Sequence, residues 1–299
     1  VFLGLDHGGM AQRAGTRHAV SSHVHVRAIT RRVMPAGARP SHGVCIDADV
    51  PASNTPRHSR ITFRTYPMRL RDILEFNARR KPAALALVTQ DGRRFTFAQL
   101  FARSMQLANA MNARGAVNDH VAILADNQGE YVEAYYGVPA ARQRLVFLNY
   151  RLAVPELVRI LEDAEATTLV YAPQFADIVE RMRGELTTVR SFVALGAQYE
   201  ALLDGQPTTP PREDDADTDV AWLIYTSGTT GMPKGAMLSH RNLLAAVSNA
   251  AVSMPGDPPT NPAFLYPFPL CHIAGGAVLG QHLSGNPIVL MSAFAPEAW

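Results

Sequence analysis

Cysteine and lysine are scarce in this chain. Its 299 residues hold two cysteines, Cys45 and Cys271, far apart and in no metal-ligand cluster. That disfavours a disulfide scaffold and a Cys-rich zinc site, and it fits a reducing, cytoplasmic compartment. No uncharged apolar run reaches the ~18 residues of a membrane-spanning helix, so none is expected. Val1 to Leu5 is apolar but stops at Asp6, too short for a secretory core, and no signal peptide is expected. No internal repeat is present. A strong charge of one sign is also lacking, since the formal total is +2. What the chain does have is 47% hydrophobic residues, which rules out a mainly disordered polymer.

The near-neutral total hides an asymmetry. Residues 1–64 carry nine arginines against three acids, and six of the ten histidines precede residue 60. Arg, His, Ala, Ser and Pro mix there without a helical or strand period. Three readings of residues 1–67 stay open. They are a solvated, disordered tail, translated sequence upstream of a true start at Met68, or an Arg-rich targeting or nucleic-acid arm. Only Phe63 and Tyr66 interleave with the arginines, which gives base stacking little support, so no nucleic-acid partner is expected. His23-Val24-His25 lacks further ligands at useful spacing, and no metal site is expected.

From residue 68 the pattern alternates between helix and strand. Met68 to Asn77 reads as a short amphipathic helix, and Leu85 to Val88 as a buried strand. Asp91-Gly92 signals a turn back through Arg94-Phe95. Thr96 and Gln99 form a capping box, so a helix starts at Phe97, and Gly115 is its expected C-terminal cap. Further strands are expected at Val121–Leu124, Val146–Leu148, Thr168–Tyr171 and Phe192–Leu195. Helices are expected from Tyr131 to Gly137, after Pro155, and from Phe175 to Met182. This order predicts an α/β fold of layered, mostly parallel sheets with helices on both faces. Pro207 to Asp219, with five acids between Glu213 and Asp219, reads as an exposed linker.

The most informative stretch follows the strand Val220–Tyr225. Thr226-Ser227-Gly228-Thr229-Thr230-Gly231-Met232-Pro233-Lys234-Gly235 packs four hydroxyls, free backbone N–H groups and one ammonium into a single loop. Glycines let the backbone approach a ligand closely, and together these groups make a donor array for a polyphosphate. Lys234 is notable because the chain has two lysines, Lys81 and Lys234, beside 26 arginines. A compact ammonium suits phosphate oxygens. A surface turn rich in Ser, Thr and Gly would explain the composition but not the order of residues. The common P-loop is disfavoured, because Lys234 follows Pro233 and precedes Gly235. The dinucleotide fingerprint fails as well.

Thr226 to Gly235 resembles the ATP-phosphate loop of the adenylate-forming ligases, which include acyl-CoA synthetases, aryl-CoA ligases, luciferases and peptide-synthetase adenylation domains. The resemblance runs over about residues 68 to 299. Phe95-Thr96-Phe97-Ala98-Gln99-Leu100 resembles their "TYAEL" segment and Leu148-Asn149-Tyr150-Arg151-Leu152 their "LNYRL" segment. Pro269-Leu270-Cys271-His272-Ile273-Ala274-Gly275 resembles their "PLxHxxG" segment beside the acyl pocket. The Thr-Thr form of the loop and Ser239-His240-Arg241-Asn242 look most like acyl-CoA synthetases. The resemblance implies a two-step reaction of a carboxylic, notably fatty, acid with ATP, Mg²⁺ and coenzyme A through acyl-AMP. By position, Thr226, Ser227, Gly228, Thr229, Thr230, Gly231 and Lys234 would hold phosphates, and His272 would lie near the acyl group and nucleotide. His240 and Arg241 could equally cap a helix or touch ligand. Arg151 is expected in a structural ion pair.

Complete members carry later motifs that this sequence does not contain: a "YGxTE" segment, a "TGD" segment, a hinge and a catalytic lysine. The chain is therefore expected to be a truncated AMP-binding domain with no catalytic residue retained, inactive alone and poorly soluble. Pro139 and the cations of Ala141-Arg142-Gln143-Arg144-Leu145, where relatives have small residues and a Gly, suggest local damage or an insertion. A non-catalytic nucleotide-binding or interaction protein derived from such a ligase, or one that pairs with a separate C-terminal half, is the alternative.

Overall fold

Apolar residues that alternate along a strand with no polar face between them require cover on both sides. In the computed structural model this is met by a mainly parallel sheet between two helical layers. The structure describes residues 68–211, 219–226, 233–253 and 263–291. The tail 1–67 and most of the acidic run lie outside the described residues.

In chain order the elements are α1 (Leu70–Arg80), β1 (Leu85–Val88), β2 (Arg94–Thr96), α2 (Phe97–Asn112), β3 (His120–Leu124), α3 (Gly129–Ala140) and β4 (Arg144–Phe147). Then come α4 (Val154–Asp163), β5 (Ala166–Tyr171), α5 (Ala176–Arg183), β6 (Ser191–Ala194) and α6 (Ala197–Leu203). The last are β7 (Val220–Thr226), β8 (Lys234–Ser239), α7 (His240–Ser253), β9 (Phe264–Tyr266), α8 (Gly276–Ser284) and β10 (Ile288–Leu290). A six-stranded sheet has the order β6-β5-β3-β4-β7-β8, parallel except at β7–β8, and a four-stranded sheet has the order β2-β1-β10-β9. The fold class expected from sequence is thus the one observed.

The period of two sorts side chains between two cores. Val121, Ile123, Leu145, Phe147, Trp222 and Ile224 enter one, which they share with α1, α2, α3, α8 and the smaller sheet. Ala122, Leu124, Val146, Leu148 and Leu223 enter the other, under α4 and α5. Full burial of each large apolar side chain contributes about 1.5–3 kcal/mol.

Every residue of α3 is buried. Its carboxylates are paired accordingly: Glu130 with Arg93 at 2.7 Å, and Glu133 with Arg103 at 2.5 Å and with the Tyr199 hydroxyl at 2.8 Å. Pro139 sits in the last turn and has no N–H for the Tyr135 carbonyl. The indole of Trp222 donates to that carbonyl instead, at 3.3 Å. The expected damage is therefore absent: α3 runs to Ala140, three residues turn, and β4 starts at Arg144. Arg142 makes that turn with φ +57°, a left-handed conformation in which glycine is at ease.

Several expected boundaries move. The capping box of α2 is as expected, with Gln99 N–H on Thr96 Oγ1 at 3.2 Å and Thr96 N–H on Gln99 Oε1 at 2.9 Å. Gly115 is not the cap. Ala113 fills that position, and the Gly115 amide closes the next turn on the Met111 carbonyl at 2.9 Å. Its lack of a side chain leaves room for the Gln143 amide, which donates to the same carbonyl at 3.1 Å. Lys234 opens a strand rather than lying within a loop, because its neighbours pair with β7.

Two buried histidines tie distant segments. His282, fully buried, faces the Ala86 carbonyl with Nε2 at 3.1 Å and the Tyr136 hydroxyl with Nδ1 at 2.8 Å. A carbonyl can only accept, so Nε2 carries the proton and Nδ1 accepts from Tyr136. Burial pushes this imidazole down to about 4. His240 accepts the Leu70 N–H on Nδ1 at 3.2 Å, capping α1 from across the chain. Burial, with Arg69 and Arg71 nearby, pushes it down to about 3.

Both rings are neutral in the fold and titrate near 6.5 when the chain unfolds. Their contribution is therefore complete above pH 6.5 and lost as pH falls toward 4, because the unfolded chain then binds more protons. Each adds a slope of about 1.4 kcal/mol per pH unit. Urea unfolding between pH 7 and 5 should show stability falling with pH, and His282→Gln should flatten the slope; a flat wild-type profile would contradict the assignment. At Arg142, substitution by Gly should raise stability by about 0.5–1 kcal/mol in the same assay, by relieving the left-handed strain. A loss would show that its weak approach to Asp219, at 3.9 Å, matters more.

Candidate functional site

Parallel strands put all their carboxyl ends on one edge. From that edge β3 leads to α3 in the first core, while its neighbour β4 leads to α4 in the second. Adjacent loops that leave toward opposite faces open a crevice, the usual ligand position in such sheets.

At this edge β7 turns back into β8. The register sets Thr226 directly opposite Lys234, and both are exposed at the mouth of the hairpin. Ser227, Gly228, Thr229, Thr230 and Gly231 lie outside the described residues. Gly235 allows the Tyr225 ring to cross the hairpin, since a Cβ there would come within 3.0 Å of Tyr225 Cζ. The Tyr225 hydroxyl donates to Asp163 of α4 at 2.5 Å, which anchors the end of β7.

The second part of the site is the stretch from β9 to α8. Asn127, just beyond β3, holds it. Its amide donates to the carbonyls of Phe268 at 2.8 Å and Met291 at 2.7 Å, and its oxygen accepts the Leu270 N–H at 2.8 Å. The Tyr135 hydroxyl donates to the Leu270 carbonyl. Gly275 must lack a side chain, because a Cβ would fall on that hydroxyl. Pinned from beneath, the stretch presents His272 to solvent, and no hydrogen bond to its ring occurs among the described residues. Phe268 is 53% exposed and Ile273 52% exposed, so apolar surface flanks the imidazole. Cys271 is buried there, and burial pushes its thiol up.

Thr226 and Lys234 are therefore brought together, and His272 stands on a separate segment that Asn127 ties to the edge of the same sheet. His240 is excluded as a ligand residue by its burial and its bond to α1. Arg151 makes no ion pair among the described residues. Its guanidinium lies 5.6 Å over the Tyr150 ring instead. Asn127 and Tyr135 carried no signal in the sequence, where an Asn in a loop and a tyrosine within an apolar run look ordinary. No group of three or more His, Cys, Asp or Glu suited to a metal occurs among the described residues. None of the described helices is long and apolar enough to cross a membrane.

Comparison with known proteins bears on the family and the fold. Residues 74–299 match the model of the AMP-binding enzyme family. A feruloyl-CoA synthase from Amycolatopsis sp. is 37% identical over 225 residues, 74% of this chain and 43% of the relative. The long-chain-fatty-acid–CoA ligase FadD13 of Mycobacterium tuberculosis is 30% identical over 212 residues, 69% of this chain and 42% of the relative. The crystal structure of the N-terminal domain of FACL13 from Mycobacterium tuberculosis superimposes with a TM-score of 0.71 at 26% identity, covering 76% of this chain and 58% of that one. The layered α/β fold is thus that of the N-terminal domain of adenylate-forming ligases. The chain belongs to the AMP-binding enzyme family and corresponds to the N-terminal portion of its members. It spans less than half the length of those two relatives.

Truncating Asn127 to Ala strands an amide and two carbonyls. It should cost about 2–4 kcal/mol and expose the stretch from β9 to α8. Hydrogen exchange at the Leu270 amide would report it. Protection equal to wild type would show that the Tyr135 hydroxyl and the ladder alone hold the segment.

Proposed function

We propose that this chain supplies the nucleotide and acid sites of an ATP-dependent acid–CoA ligase. One observation carries the reading: Thr226 and Lys234 face each other across the hairpin mouth at the carboxyl edge of the sheet. A hydroxyl on one side and an ammonium on the other bracket the loop Ser227 to Pro233, whose N–H groups and hydroxyls would cradle the β and γ phosphates. Holding these oxygens stabilises pyrophosphate as it leaves, while the acid carboxylate attacks the α-phosphate to give acyl-AMP. Coenzyme A thiol would then displace AMP and form the thioester. The exposed apolar surface of Phe268 and Ile273 beside His272 suits the body of an acid. The names of the relatives, feruloyl-CoA synthase and long-chain-fatty-acid–CoA ligase, support a carboxylic acid and coenzyme A as substrates.

No metal cage preformed by carboxylates or histidines is found among the described residues, so Mg²⁺ entering with ATP would rest chiefly on phosphate oxygens. The ribose-holding "TGD" segment and the late catalytic lysine of complete members are absent from this sequence. Residues 1–299 assayed by themselves are expected to bind ATP with little or no turnover.

The test has two parts. In calorimetric titration Lys234→Ala should weaken ATP binding about 10- to 100-fold, the value of one charge-assisted contact. Unchanged affinity would remove the hairpin from the site. In ATP–pyrophosphate exchange with mixed fatty and aryl acids, the chain alone should not exceed the Lys234→Ala control. Clear exchange above that control would show that it is catalytically sufficient.

A further inference from the structure

The hairpin that carries Thr226 and Lys234 overhangs its sheet. The register of β7 with β4 ends at Ile224 opposite Phe147, so Tyr225 and Thr226 run past the last paired residue of that neighbour. On the other side β8 is the outermost strand and pairs with β7 alone. Among the described residues, the end of the hairpin therefore has no strand on either flank. One side-chain hydrogen bond there ties it to another element. The Tyr225 hydroxyl donates to the carboxylate of Asp163, the last residue of α4, at 2.5 Å.

Alternation sorts the side chains of this end. Trp222 and Ile224 enter the first core, whereas Leu223 and Tyr225 pack on the second. Thr226 continues the first set. Lys234 joins it, because residues directly paired across a ladder share a face. Tyr225 leaves on the opposite face and lies across Gly235, where an added Cβ would come within 3.0 Å of Tyr225 Cζ and 3.1 Å of Leu223 Cδ1. The tie thus grips the hairpin from behind and leaves the side of Thr226 and Lys234 open to a ligand. A phenylalanine would cover Gly235 equally well. The hydroxyl adds a bond to an exposed carboxylate, which contributes little to stability but fixes the hairpin against α4. Burial and the Asp163 carboxylate push the phenol up, so it stays protonated as the donor.

We propose that Tyr225 and Asp163 are positioning residues for the phosphate site, their bond holding the overhanging hairpin so that the Lys234 ammonium and Thr226 hydroxyl stand ready for a polyphosphate. This rests on the ligase reading above and adds to it two residues outside the donor loop, one of them on a helix of the other core. Donors already held in place bind without an ordering cost, and a loosely held hairpin loses affinity to that ordering.

The experiment is calorimetric titration of the chain with ATP, beside its melting temperature. Tyr225→Phe keeps the ring over Gly235 and should weaken ATP binding about fivefold or more, the lower end of coupling between linked sites. Its melting temperature should change by no more than about 2 °C. Asp163→Ala should reproduce the loss, and Asp163→Asn, which keeps an acceptor oxygen, should recover most of it. In the Lys234→Ala background Tyr225→Phe should cost clearly less than alone, because the displaced hairpin then has no ammonium to misplace. Wild-type affinity in Tyr225→Phe, an equal loss with and without Lys234, or no recovery from Asp163→Ala to Asp163→Asn overturns the proposal and leaves the ligase reading standing. A melting temperature that falls in step with affinity across the variants also overturns it, since folding and not position is then lost. Failure of the unsubstituted chain to bind ATP overturns the ligase reading and the proposal with it.

Discussion

A helix with no solvent-facing side can carry a carboxylate only if a cation is brought to it. Glu133 on α3 is such a group, and the guanidinium of Arg103 from α2 meets it. Burial alone pushes this carboxyl up, and Arg103 with the Tyr199 hydroxyl works against that shift. Arg103 reaches on to Glu200 of α6 at 2.7 Å, so a single guanidinium joins α2, α3 and α6. Removing one partner of such a pair costs more than the pair contributes, because the other charge is stranded. The position of α3 follows from this network, and much else follows from α3.

From α3 the dependence runs in two directions. Toward the large sheet, the Tyr135 carbonyl freed by Pro139 receives the Trp222 indole, which locks α3 to β7 just below the hairpin. Toward the small sheet, Tyr136 donates to His282 and thereby reaches Ala86 of β1. Tyr135 also supports Leu270 and excludes a side chain at Gly275. The hairpin after β7 and the segment from β9 to α8 are therefore referenced to one helix, although they belong to different sheets. On the proposed function, such a shared rigid support would hold two substrates in mutual register.

Much of the fold was legible before any coordinates. The buried strands at residues 85–88 and 121–124, the turn at Asp91-Gly92 and the capping box at Thr96 and Gln99 all have local causes: a period, a turn residue, a cap. The donor-rich stretch after Tyr225 stood out because its residue types follow one another in sequence. What stayed hidden was set by partners far along the chain. His240 could be a ligand or a cap until Leu70 was seen to donate to it, 170 positions away. Gly115 resembled a helix cap, yet its real constraint is the Gln143 amide in another loop. Pro139 looked like damage because nothing nearby in sequence announces that Trp222 will take the orphaned carbonyl.

The sequence by itself determined the α/β alternation, the six-stranded sheet's burial on both faces and the donor-rich loop after Tyr225. These depend on residue type and spacing over a few positions, where sterics and periodicity act. Tertiary structure alone decided which histidine faces solvent, that Thr226 opposes Lys234, and that Asn127 pins Leu270. It also decided that the Tyr135 hydroxyl has a partner while those of Tyr131 and Tyr266 have none among the described residues. Hydrogen bonds are directional and burial is collective, so each of these outcomes depends on groups that only folding brings within three ångströms or so.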